Sequence, residues 1–337
     1  MSADPAIPRI RIGLAGLNNH GQTVLRAILE AGTLQLASVY DVDVSARERV
    51  RAAHGIRAAG SFEDLASDPD LDALALVTPN HLHAEHTLLA AIHGKHVFVE
   101  KPIANSVSDA RHMIDAMRSA DRVLMVGHNT RRKRAFRAAA RFLQRGALGT
   151  VVAVEASLAR RAGIETGLPD WKADPTRCVL LPMSQLGIHF IDVTLALFGA
   201  IERVSCIAAA RAMTGGAPDA VAALLLTESG IPVTLTSYYS TPDTYVYRIL
   251  GSNGHITCRA NGLHAEFLEP KETVALDFSD EGYESFVLQM REFGACIQNS
   301  REPETGGQEG LHAFAVVEAM RVSADEHRSV TLRQILG

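Results

Sequence analysis

The sequence predicts two domains of different class: an α/β domain on a doubly wound parallel sheet, then an α+β domain with a large, mostly antiparallel open sheet. Three observations predict this. Up to residue 127, short apolar runs alternate with helix-patterned segments, as the strands and crossovers of a parallel sheet do. From residue 151 onward most strand-like runs follow one another without helices between them, and Ser229-Gly230 and Asn253-Gly254 supply hairpin turns. The 337 residues suit about two domains, which we bound at 1–127 and 128–337.

Composition narrows the function classes. Apolar residues make up 47% of the chain, enough for two cores, and the net charge of −5 makes nucleic acid an unexpected partner. Cys178, Cys206, Cys258 and Cys296 lie far apart without a Cys-x-x-Cys, which argues against a disulfide framework or thiolate metal site and fits a reducing cytoplasm. No apolar run approaches a membrane span, and the first eight residues hold no export signal.

In order along the chain, residues 9–15 read as a strand that runs into Gly16-Leu17-Asn18-Asn19-His20-Gly21 and a helix over 23–30. This is the place of a dinucleotide fingerprint. Gly16 and Gly21 hold its first and third glycine positions; Asn18 holds the middle one, where it tolerates a left-handed backbone and offers its amide to phosphate. By itself the pattern also suits a plain strand–turn–helix. The next strand, 34–40, ends in Asp41, placed to bind ribose hydroxyls and to repel a 2′-phosphate. Val42 and Asp43 follow instead of an arginine or serine, which favours NAD over NADP. Asp41 also suits a turn into the helix that starts near Ser45. Residues 61–65 read as a short capped helix.

Residues 74–77 form a buried strand ending at Thr78-Pro79-Asn80, 84–92 a helix stopped by Gly94, and 96–99 a strand ending at Glu100-Lys101-Pro102. As one crossover unit, its two strand ends point the same way, toward the edge where α/β sheets bind ligands. Lys101, on a rigid element with a proline behind it, is a candidate for chemistry; a solvated charge pair is the plainer alternative. A helix over 106–119, capped by Ser106, and a strand over 122–126 complete the domain. His81, His83 and His86 have metal-like spacing, but they begin a helix and lack a cysteine or carboxylate partner, so no metal is expected there.

Val77-Thr78-Pro79-Asn80, His83, Gly94-Lys95-His96-Val97 and Glu100-Lys101-Pro102 together resemble the Gfo/Idh/MocA family, that of glucose–fructose oxidoreductase and inositol dehydrogenase. The resemblance runs over nearly the whole chain. It implies a Rossmann domain and places Lys101 beside the nicotinamide and the reacting hydroxyl. Gly16, Leu17, Asn18, Asn19, Gly21, Asp41, Thr78, Pro79, Asn80, His83 and Glu100 then line the cofactor, joined by Asn129 and Trp171.

Residues 127–132 are similar to that family's domain-crossing segment and open a helix over 133–145. Its basic run, 131–134, reads as a solvated face, and an arginine near the cofactor mouth could hold an anionic or polyol substrate. Strands are expected at 151–159, 202–211, 220–228, 233–239, 245–251 and 256–259. Residues 220–226 are apolar on both faces, which suits helices on one side and another subunit on the other; the family assembles as dimers or tetramers through such a sheet. A helix over 184–197 would carry Gln185, His189 and Asp192 on one face. The family pattern is Asp-x-x-x-His-x-x-Asp. His189 matches its catalytic histidine, Gln185 replaces its first acid, and Cys178-Val179-Leu180-Leu181 replaces its glycine-rich lead-in. Amphipathic helices at 283–299 and 310–325 close the chain.

The expected activity is hydride transfer between NAD and a secondary alcohol or ketone of a sugar, sugar derivative or cyclitol. Lys101 supplies positive charge, His189 is the base, and Gln185 orients without charge. Lys101, Asn129, Lys172, His189 and Asp192 are the expected substrate contacts, and the loop 160–182 sets specificity. Two other readings fit the same residues: a nucleotide-binding sensor with reduced catalysis, favoured by Asn18 and Gln185, and an enzyme for a non-sugar substrate such as a dihydrodiol.

Overall fold

Short strands that are apolar on both faces need a covering layer on each side, and the first third of the chain supplies both. The structure, a computed structural model, describes residues 9–165 and 167–337. Its first part runs β1 (Ile10–Ala15), α1 (His20–Ala31), β2 (Leu34–Tyr40), α2 (Val44–His54), β3 (Arg57–Ala58) and α3 (Phe62–Ser67). There follow β4 (Ala73–Leu76), α4 (His83–Ile92), β5 (His96–Val99), α5 (Val107–Ser119) and β6 (Leu124–Val126). All six strands are parallel in the order β3-β2-β1-β4-β5-β6, as the alternating pattern predicts. Every residue of β4 is fully buried, and Leu74 and Leu76 each contribute about 1.5–3 kcal/mol by leaving water. The strand direction reverses its order of addition between β1 and β4, the switch point at which such sheets bind ligands.

The second part begins with α6 (Arg134–Gln144), β7 (Val151–Ala159), α7 (Ala162–Glu165) and α8 (Asp170–Ala173). A π-helical turn (Met183–Gly187) leads into α9 (Ile188–Phe198). Seven strands follow: β8 (Ile201–Ala209), β9 (Ala220–Thr227), β10 (Pro232–Tyr238), β11 (Thr244–Gly251), β12 (Gly254–Arg259), β13 (Gly262–Phe267) and β14 (Glu272–Asp277). The chain ends in α10 (Glu284–Gln298), α11 (Gly307–Glu326), β15 (Val330–Thr331) and α12 (Leu332–Leu336). The nine-stranded sheet has the order β14-β13-β12-β11-β7-β10-β9-β8-β15 and is antiparallel except where β10 meets β7.

By contact the chain forms two units. One takes in the described residues up to Ala104, with Ser108–Gly127 and Tyr283–Glu309; the other takes in Asn105–Val107, His128–Gly282 and Gly310–Gly337. α10 therefore belongs with the parallel sheet: Val287, Met290 and Phe293 join the core beneath β1 and β2. A Cβ at Gly294 would lie 2.4 Å from the Thr33 hydroxyl, so the helix sits close only because no side chain intervenes there.

Two sequence expectations change in the second unit, and a third, helices on one face of the sheet, is met. The hairpin β13–β14 is not among the expected strands; β14 is an edge strand with largely exposed residues, so it carries little apolar signal. α11 is not amphipathic, because Leu311, Phe314, Val316, Val317 and Met320 bury it on most of its circumference. The sheet is covered on one face only: Val221, Ala223 and Leu225 of β9 are buried, whereas Leu224 is 60% exposed and Ile207, on the same face of β8, is 74% exposed. On the covered face Phe136 of α6 and Phe190 of α9 meet the Tyr247 ring edge to face.

Candidate active site

The carboxyl ends of β1, β2, β4 and β5 carry the residues that the sequence marks for a cofactor. After β1 the backbone turns sharply at Gly16, with φ +93°. A Cβ there would stand 2.3 Å from the Val77 carbonyl oxygen, and one on Gly21 would stand 2.2 Å from the Gly16 carbonyl oxygen. Only glycine fits either place, which is what a dinucleotide turn asks of its first and third glycines. Asn18 accepts the Gly21 amide through its carbonyl, and Asn19, at φ 44°, opens α1. The Leu17 side chain is buried in the core, leaving its backbone as the part at the turn.

Asp41 is 8% exposed, and its two oxygens accept the backbone amides of Leu17 at 2.7 Å and Asp43 at 2.9 Å. These bonds hold the carboxylate rigidly between the ends of β1 and β2. Each oxygen keeps a further lone pair for ribose hydroxyls. A turn shaped by two obligatory glycines, with an oriented acid beside it, fits an NAD molecule.

His83 is not a contact surface. It is 1% exposed, with Nδ1 2.8 Å from the Pro102 carbonyl and Nε2 2.9 Å from the Thr78 carbonyl. It ties the end of β4 to the end of β5 and so sets where Lys101 emerges. Burial pushes its pKa below the ordinary value, against the pull of the two carbonyls and Glu100. His86 stacks on Phe62 at 3.7 Å, faces the Thr78 hydroxyl, and is driven by burial to about 4. The imidazoles of His83 and His86 thus serve the strand ends separately, through backbone and aromatic contacts.

Glu100 is buried, and burial alone would raise its pKa. His20 at 3.0 Å and the Lys101 charge outweigh that and hold it below the usual carboxylate range. Gly127 leaves the room: a Cβ there would be 2.8 Å from the Glu100 carboxyl. The sequence reading missed His20 and Gly127, although His20 stands inside the fingerprint turn. Thr78, Pro79 and Lys101 are half-buried, and Asn80 is buried in a 3-10 turn (Asn80–Leu82).

In the second unit, Leu181–Asp192 is buried except at two positions, Gln185 and His189. The spacing predicts a continuous α-helix; instead residues Met183–Gly187 take a π turn, closed by the Ile188 amide on the Met183 carbonyl. Gly187 allows it, since a Cβ there would meet the Met183 sulfur at 2.3 Å. Such turns are rare and often mark functional sites. The Gln185 amide nitrogen lies 3.6 Å from the Cys178 sulfur, so the two departures from the family pattern touch each other.

Asp192 does not share this exposed face. It has no exposed surface, and Arg131 grips it in a fork, with Nε at 2.9 Å from Oδ2 and Nη2 at 2.6 Å from Oδ1. His128, fully buried, stands 3.8 Å away. The pair joins α9 to the turn that carries Asn129, which is itself 3% exposed. Arg131 is thereby committed to structure, contrary to a purely solvated basic run. Trp171 and Lys172 lie on α8, where the Lys172 ammonium donates to the Tyr239 hydroxyl at 3.3 Å and lies over the Trp171 ring.

Residues 10–128 match the Gfo/Idh/MocA family model, an oxidoreductase family with an NAD-binding Rossmann fold, and residues 136–257 match that family's C-terminal domain. D-apiose dehydrogenase of Paraburkholderia graminis is 29% identical, over 98% of this chain and 91% of its own. An oxidoreductase of Desulfitobacterium hafniense superposes with a TM-score of 0.91 at 24% identity, covering 98% of this chain and 99% of its own. A levoglucosan dehydrogenase in complex with NADH and levoglucosan superposes with a TM-score of 0.88 at 18% identity, covering 96% of this chain and all of its own. These two structures share the fold.

Proposed function

The chain belongs to the Gfo/Idh/MocA oxidoreductase family, and we propose that it moves a hydride between NAD and a secondary alcohol or ketone of a sugar, sugar derivative or cyclitol. The observation that carries this reading is Lys101, held at the carboxyl end of β5 beside the end of β4 by the His83 strut. The likeness to a D-apiose dehydrogenase supports a sugar as substrate. The intact Glu100-Lys101-Pro102 and His189 favour an enzyme over a sensor.

The bound nicotinamide supplies the hydride acceptor or donor. The chain's own residues handle the proton. Lys101 lowers the hydroxyl's pKa and stabilises the forming oxyanion. His189 takes the proton, since an imidazole titrates near neutrality. Gln185, whose amide meets the Cys178 sulfur, brings no charge and leaves the basicity of His189 unassisted. Asn129, Trp171 and Lys172 serve cofactor and substrate, with Lys172 steadied by Tyr239. Asp192, locked by Arg131, acts by positioning α9. Asp41, with no arginine after it, selects NAD.

We place self-association on the β8–β9 end of the open face of the nine-stranded sheet, where Ile207 and Leu224 stand exposed, and the protein, with its four buried free cysteines, in the cytoplasm. The test is a panel of aldoses, anhydrosugars, cyclitols and hydroxy acids with NAD and NADP, read at the absorbance of the reduced nicotinamide. Turnover of a sugar-like substrate with NAD preferred is the expected result. Turnover confined to non-sugar hydroxy compounds would refute the substrate reading.

A further inference from the structure

The proposed reaction makes no use of a group of ligating side chains on the open face of the second unit's sheet. His255 of β12 and Glu266 of β13 are directly paired across the two strands. His264 precedes Glu266 by two residues and so shares its face. Ligand atoms of the three lie within 4.8 Å of one another, and the His264 Nδ1 is 3.8 Å from the Glu266 carboxylate. The imidazole centroids are 6.5 Å apart. Among the described residues, no other three histidine, cysteine, aspartate or glutamate side chains gather in this way.

The backbone beneath is rigid. Ile256, Cys258, Leu263 and Ala265 point to the opposite face and are 3% exposed or less, which fixes both strands in register. The two histidines are half-buried and Glu266 is exposed, so an ion reaches them from solvent. Two imidazoles and one carboxylate are donors for a borderline divalent metal; without thiolates the set does not suit soft ions, and its imidazoles do not suit magnesium or calcium.

We propose that His255, His264 and Glu266 bind one divalent transition-metal ion, zinc above the others, with a fourth position open to water or to another ligand. Tetrahedral zinc with bonds of about 2.0–2.1 Å sets its ligands about 3.4 Å apart. The present separations close to that by side-chain rotations of about 1 Å at a solvent-facing surface. The site rests on strand pairing alone and is independent of the hydride-transfer reading.

The test uses the full chain, stripped with a chelator and titrated with zinc in a calorimeter at about pH 7.5, where imidazoles are mainly neutral. One zinc per chain is expected. His255→Ala and His264→Ala should each weaken binding about tenfold or more, and the zinc-dependent rise in Tm should vanish in both. Both changes are on the surface, so folding and turnover should persist. Cobalt should give a visible absorption band in the parent protein and lose it in the variants. No saturable binding, or binding of equal strength in the variants, would overturn the proposal.

Discussion

The two units hold their functional side chains by different means. In the first, main-chain groups hold two of the key side chains, with Asp41 accepting two backbone amides and His83 lying between two backbone carbonyls, while Glu100 meets the His20 side chain. In the second, side chains hold side chains: Arg131 grips Asp192, Cys178 meets Gln185, and Lys172 rests on Tyr239. Main-chain fixtures survive changes of neighbouring side chains, which suits a domain that binds one constant cofactor. Side-chain fixtures depend on both partners at once, which suits the proposed role of the second unit in fitting a particular substrate.

This contrast is broken most severely at Arg131. Arg131→Met leaves the Asp192 carboxylate buried with its main partner gone, which should cost about 3–5 kcal/mol. Denaturant unfolding followed in the second unit would read it. A loss below about 1 kcal/mol would place the pair among weak surface ion pairs.

That lock was invisible in the sequence, although Asp192 and the helix around it were legible. The basic run 131–134 looks like a solvated face, and nothing local ties Arg131 to a residue 61 positions later. The π turn was equally hidden, because apolar spacing over 184–197 is that of an ordinary helix and one i→i−5 closure leaves no periodic trace. Lys101, Asp41 and the parallel sheet were readable because strand ends in a doubly wound fold are defined by local punctuation: Thr78-Pro79-Asn80, Glu100-Lys101-Pro102 and one acid after β2. α11 was misjudged because burial all round erases the apolar stripe that marks a surface helix.

A smaller effect tests the first unit. His86 titrates near its ordinary value of about 6.5 when unfolded but at about 4 when folded, so between those values the unfolded chain binds more protons. Stability should therefore fall as pH drops from about 6.5 to about 4, by an amount on the order of 1–3 kcal/mol. His83 and His96, whose pKa values burial also lowers, add to the same slope, so His86→Phe should remove a part of it. An unchanged slope would mean that His86 is not among the groups responsible.

The mildest change sharpens the contrast at its centre. Gln185→Asp restores a charge near His189 and should favour the imidazolium, moving the alkaline rise of the oxidation rate up by about one pH unit. A profile that does not move would show that residue 185 does not act on the base.

The central proposal is that the reaction depends on both Lys101 and His189. Its most direct measurement is kcat/KM for Lys101→Ala, His189→Ala and the double variant, on the sugar-like substrate found in the panel. Groups acting as a unit are strongly non-additive, so each single change should cost about a hundredfold or more and the double change little beyond the worse single one. Full turnover in Lys101→Ala or in His189→Ala would contradict it.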